Sequence, residues 1–125
     1  MIVGTGVDIT EVRRVAEALE RFGERFLRRV FTPLEIEYCS SKRNKVERLA
    51  ARFAAKEAAL KALGTGLSHG ITWQQVEVTR QPGGRPTIAF SGVAARYAAR
   101  LAVKHISLSM SHTAEQAIAM VILED

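Results

Sequence analysis

The 125-residue sequence is poor in cysteine, proline and aromatic side chains, and each shortage excludes a class of protein. Its one cysteine, Cys39, rules out an internal disulfide and fits a reducing cytoplasm. Three histidines beside that thiol are too few for a structural zinc site. Aromatic residues are 6% of the chain, form no base-stacking cluster and accompany no RRM or zinc-finger signature, which argues against a nucleic-acid-binding module. No apolar run reaches the roughly 18 residues of a membrane span. Met1 to Gly6 lacks a basic n-region and a long h-region, so no secretory signal is expected. There are no repeats, low-complexity segments or interdomain linkers.

What is present is ordinary in amount and unusual in placement. Hydrophobic residues make up 47% and charged residues 25%, and the length suits one domain, residues 1–125, with a real core. The net charge of +5 favours an anionic partner: nucleic acid, a phosphorylated small molecule or an acidic protein.

The spacing predicts a strand over Ile2 to Ile9, interrupted by Gly4 and Gly6. A helix then opens at Asp8, Ile9 or Thr10, with Asp8 and Glu11 in capping-box spacing. Gly23 breaks it, and Glu24 to Val30 resumes it. Thr32-Pro33-Leu34-Glu35 starts a short helix ending near Cys39, and a long helix runs from about 45 to 63. The second half predicts a hairpin of Val76 to Thr79 with Thr87 to Phe90, and a helix over Gly92 to Val103. His105 to Ser111 alternates as a half-buried strand, and the unbroken apolar run Ala117 to Leu123 suits a strand covered on both faces. The expected class is α+β: a mainly antiparallel sheet of about five strands packed around the long alanine-rich helix.

That helix is apolar almost all round, yet it carries Glu57 and Lys61 at the edge of its apolar stripe. A plain i,i+4 pair would explain them. Their company suggests more. Arg48, Arg52 and Lys56 form a second row spaced by four, and from Lys42 to Lys61 seven Lys or Arg face two Glu. Cations beside an embedded carboxylate suit a polyanion held through a divalent metal. Gly64 fits a helix C-cap equally well as a close approach of ligand.

Three blocks stand in order: Gly6-Val7-Asp8-Ile9, then Phe53 to Gly66 (FAAKEAALKALGTG), then Ser109-Met110-Ser111-His112 before a terminal apolar strand. Together, over Ile2 to Leu123, they resemble the holo-[acyl-carrier-protein] synthases, the short single-domain 4'-phosphopantetheinyl transferases. The resemblance implies transfer of the 4'-phosphopantetheine arm of coenzyme A to a serine of an apo acyl carrier protein, for fatty acid biosynthesis, with release of adenosine 3',5'-bisphosphate. It implies that Asp8 and Glu57 are the Mg2+ ligands and that Lys61 neutralises pyrophosphate charge. Glu57, or a metal-bound water that it orients, is the candidate base. Arg48, Arg52, Lys56, Lys61 and Gly64 are expected at the coenzyme A phosphates, with His105 and Ser111 near the nucleotide and His112 mainly structural. Arg14, Arg21, Arg25 and Arg28 offer a docking strip to an acidic carrier, although Glu17, Glu20 and Glu24 are interleaved. The family further implies a homotrimer with sites at subunit boundaries, in the cytoplasm, with no nucleic-acid or membrane partner. A non-catalytic coenzyme A-binding subunit would share the phosphate contacts without needing Asp8 beside Glu57 and Lys61.

Overall fold

Glycines at positions 4 and 6 set the architecture. In the computed structural model, which describes residues 1–125, they lie on strand β1 (Ile2–Glu11) and bring its backbone against helix α4 (Lys45–Leu63). A Cβ on Gly6 would stand 1.9 Å from the Ala58 carbonyl oxygen, and one on Gly4 2.1 Å from that of Ala62. No side chain fits between strand and helix there, so the glycines that look like interruptions in the sequence are the contact itself. Gly6→Ala should lower unfolding stability by about 3 kcal/mol, the upper end of overpacking costs, read from urea denaturation midpoints.

Between these elements run α1 (Val12–Phe22), α2 (Glu24–Val30) and α3 (Pro33–Ser40). Beyond α4 come a 3-10 turn (Trp73–Gln75), the hairpin β2 (Val76–Arg80) and β3 (Pro86–Phe90), helix α5 (Gly92–Arg100), β4 (His105–His112) and β5 (Gln116–Glu124). The five strands form two antiparallel sheets, β1-β5-β4 and β2-β3. Helix α4 is common to the two parts of the core. One packs it on the large sheet, the hairpin and α5, the other on α1 to α3. No helix is long and apolar enough to cross a membrane.

Two expectations change. Asp8 caps no helix: β1 continues to Glu11, and α1 begins at Val12 without a side-chain cap. The pairing of Asp8 through Glu11 with Ala119 through Gln116 holds these residues extended. Strand β5 is covered on one face only. Ala117, Ala119, Val121 and Leu123 are buried, whereas Ile118 and Met120 are 43% and 47% exposed. The outer face has no layer within the chain.

The Thr32-Pro33-x-Glu35 start is a true capping box, and its glutamate has a second task. Glu35 is 1% exposed and accepts from Thr32 N at 2.8 Å, Val78 N at 2.7 Å and Lys56 Nζ at 2.6 Å. Lys56 is fully buried, with its ammonium 5.5 Å from the Phe31 ring centroid. Its charge is spent in the core and reaches no open surface, which corrects its assignment to coenzyme A. Lys56→Met would leave Glu35 buried without its counter-ion. A loss of about 3 kcal/mol is expected in chemical denaturation. Cys39 is buried nearby, and burial pushes its thiol up to about 11, so it stays protonated and inert.

Candidate active site

Side chains far apart in sequence meet where β1 crosses α4. Extended β1 turns Asp8 towards the helix, as its register with buried Ala119 requires. Phe53, Glu57 and Lys61 recur every four residues along the facing side of α4. Lys61 Nζ lies 3.2 Å from Asp8 Oδ1 and donates to the Val7 carbonyl at 3.0 Å. The other Asp8 oxygen, Oδ2, accepts from Thr10 Oγ1 at 2.9 Å.

Glu57 is half-buried. Burial pushes its carboxyl above the usual carboxylate range, the Asp8 charge adds to that, and Lys61 opposes both. Two carboxylates placed so that one raises the other's pKa suit a bound cation. No group of three or more potential ligand side chains gathers anywhere in the fold. That donor set fits Mg2+, a hard ion that typically binds one or two carboxylates and takes its other ligands from water and phosphate oxygens.

The pair opens on a cleft of about 360 Å³ lined by Asp8, Thr10, Arg14, Phe26, Phe53 and Glu57, among others. Arg14 thus stands at the cleft, with the exposed Arg21, Arg25 and Arg28 continuing along α1 and α2. Arg28 pairs with Glu24 at 3.4 Å, and the Arg21 guanidinium lies over the exposed Phe22 ring.

The basic row lies elsewhere. Arg52 and Glu57 are roughly 140° apart around the helix at 3.6 residues per turn, so α4 itself separates them. Arg48 and Arg52 gather on Tyr38 of α3. The Arg52 guanidinium carbon is 4.2 Å from the ring centroid, and Arg48 Nη1 donates to the hydroxyl at 3.2 Å. Arg80 of β2 stacks on the same ring at 4.5 Å and also donates to the hydroxyl, and Lys42 Nζ lies 5.0 Å from the centroid. Burial alone would raise the Tyr38 hydroxyl, but the charges of Arg80, Arg48, Arg52 and Lys42 outweigh it and hold it below its ordinary value. Tyr38 and Arg80 carried no signal in the sequence, because only the fold brings α3, α4 and β2 together.

His105 and Ser111 also lie apart from the carboxylates. They pair with Glu124 and Ile118 and so share the outer sheet face, whereas Asp8 shares the inner face with Ala119 and Met110. His112 points inward as expected, its Nε2 3.3 Å from Asn44 Nδ2. Gly64 is a left-handed C-cap at φ 79° whose N–H bonds Leu60 and Lys61 carbonyls, and nothing within the chain crowds it.

Residues 4–121 match the family model of the 4'-phosphopantetheinyl transferase superfamily. The holo-[acyl-carrier-protein] synthase of Koribacter versatilis is 60% identical over 125 residues, covering all of both chains. The crystal structure of the holo-[acyl-carrier-protein] synthase from Neisseria meningitidis superposes with a TM-score of 0.90 at 31% identity, again over all of both chains. That of the Helicobacter pylori synthase in complex with coenzyme A gives 0.83 at 31% identity, covering 96% of this chain and 99% of the other.

Proposed function

This chain belongs to the 4'-phosphopantetheinyl transferase superfamily, and on that premise we propose that it acts as a holo-[acyl-carrier-protein] synthase. The observation that carries the reading is the convergence of Asp8 and Glu57 at one cleft, with Lys61 paired to Asp8 beside it. In the reaction, the carrier serine Oγ forms a bond to the pantetheine-bearing phosphorus of coenzyme A. The bond from that phosphorus to the bridging oxygen breaks, and adenosine 3',5'-bisphosphate leaves with the electron pair. The serine proton passes to Glu57 or to a water that Glu57 orients.

Asp8 and Glu57 would hold Mg2+. When bound, it supplies Lewis-acid polarisation of the pyrophosphate. Lys61 is half-exposed and can turn from Asp8 to a phosphate oxygen, where its ammonium meets the charge that grows as the P–O bond breaks. Arg48 and Arg52, with Lys42 and Arg80, supply the positive field for the remaining phosphates. Incubating the protein with coenzyme A, Mg2+ and apo carrier, then weighing the carrier, tests the reading. A carrier that never gains the phosphopantetheine mass overturns it.

We extend the proposal to a homotrimer with the site between subunits. Its support is that the carboxylates, the arginine cluster and His105 with Ser111 occupy three separate faces of one chain. Val7, Ile9, Ile118 and Met120 leave an apolar outer sheet face for a neighbouring copy to cover. We place the reaction in the cytoplasm and in fatty acid biosynthesis, in keeping with the free thiol of Cys39.

The acidic carrier would dock on α1 and α2, where Arg14 connects the surface strip to the cleft. Arg14→Glu or Arg21→Glu should raise the carrier KM about tenfold or more, with added salt reproducing the trend in the parent enzyme. Coenzyme A affinity in the same variants should stay constant. An equal loss there would assign the helix to the nucleotide or the fold.

A further inference from the structure

We propose that Thr10 is a positioning residue for the reaction, fixing the Asp8 carboxylate in the orientation that receives the metal. This rests on the assignment of Asp8 and Glu57 as metal ligands. Because β1 extends through Glu11, Asp8 and Thr10 are two residues apart on one strand and turn to the same face. The Thr10 hydroxyl donates to Asp8 Oδ2 at 2.9 Å, its one side-chain hydrogen bond, and the residue is 8% exposed. A β-branched side chain is stiff at χ1, so the donor is held in place before any ligand arrives.

The two oxygens of Asp8 are held differently. Lys61, on Oδ1, is a long side chain 52% exposed, and in the proposed reaction it leaves Asp8 for phosphate. Thr10, on Oδ2, is short, buried and part of the strand. It is the restraint that persists when Lys61 swings away. A hydrogen bond to one carboxylate oxygen leaves the other free to face the cleft and the metal. Outer partners of this kind typically contribute about 10- to 100-fold in metal affinity.

The test uses Mn2+ as probe, titrated into the protein loaded with coenzyme A but given no carrier, with free Mn2+ read by electron paramagnetic resonance. Thr10→Val keeps the side-chain shape and removes the donor. It should bind Mn2+ about 10- to 100-fold more weakly, while Thr10→Ser keeps parental affinity. In turnover, Thr10→Val should raise the Mg2+ activation constant and recover parental kcat at saturating Mg2+. Should Thr10→Val not fold, Thr10→Ala is read in the same way. Parental Mn2+ affinity in Thr10→Val, with Asp8→Asn unable to bind, overturns the role of Thr10 and leaves the metal site standing. Equal weakening in Thr10→Val and Thr10→Ser also overturns it, because packing and not the hydroxyl would then be at work. Parental affinity in Asp8→Asn overturns the metal assignment itself.

Discussion

Asp8→Ala and Glu57→Ala should each reduce carrier modification by about a thousandfold or more, the several kcal/mol that metal-assisted charge stabilisation supplies. The loss should persist at saturating Mg2+ and be read as the initial rate of holo-carrier formation. It should not come from unfolding. The Glu57 carboxyl lies above the usual carboxylate range because it is partly buried and sits beside the Asp8 charge. A group whose folded pKa is raised favours the fold below its unfolded pKa, and that contribution is lost as pH rises through the folded value. Above its folded pKa, ionised Glu57 is therefore a strain on the fold. Glu57→Gln should leave the Tm equal or raised, and Asp8→Asn should ease Glu57 in the same direction. A variant that loses activity with a large fall in Tm would point to a structural role, and near-parental turnover in either would remove both residues from the chemistry.

Much of this site is legible in the sequence, and the rest is hidden for definite reasons. Helix α4 announces itself because alanines and leucines leave no doubt about period, and Glu57 and Lys61 stand out as charges in apolar surroundings. The same reasoning misplaces Lys56. A buried cation and a surface one look alike until the partner is known, and Glu35 comes from a helix 21 residues away. Asp8 in capping-box spacing reads as the start of a helix because local chemistry favours a cap. Cross-strand pairing with β5, a long-range term, keeps the chain extended for three more residues and puts Thr10 beside Asp8. Gly4 and Gly6 read as strand breakers, since their need to admit the backbone of α4 has no local signature. Strand β5 is apolar on both faces as the sequence says, but the chain itself supplies only one cover.

That missing cover leads to the second large effect. If the site lies between subunits, two inactive variants with lesions in different parts should rescue each other. Asp8→Ala removes one of the two carboxylates proposed to hold the metal and leaves the arginine cluster whole. A protein carrying both Arg48→Ala and Arg80→Ala lacks two of the cations proposed to bind phosphate and keeps the carboxylates whole. Arg52 is a poorer choice, because at 5% exposure its loss would also disturb packing. Each homo-oligomer should be nearly inactive. Co-refolded in equal amounts, random closed trimers would combine an intact carboxylate face with an intact basic face at about one boundary in four. Activity should therefore climb from near zero to about a quarter of the parental value per site, and it should appear only after subunits exchange. Mixing the folded homo-oligomers without exchange provides the control. If exchange is demonstrated by mass and no activity returns, carboxylates and arginines serve one another within a single chain. Coenzyme A would then have to pass around α4, across the roughly 140° that separates Arg52 from Glu57.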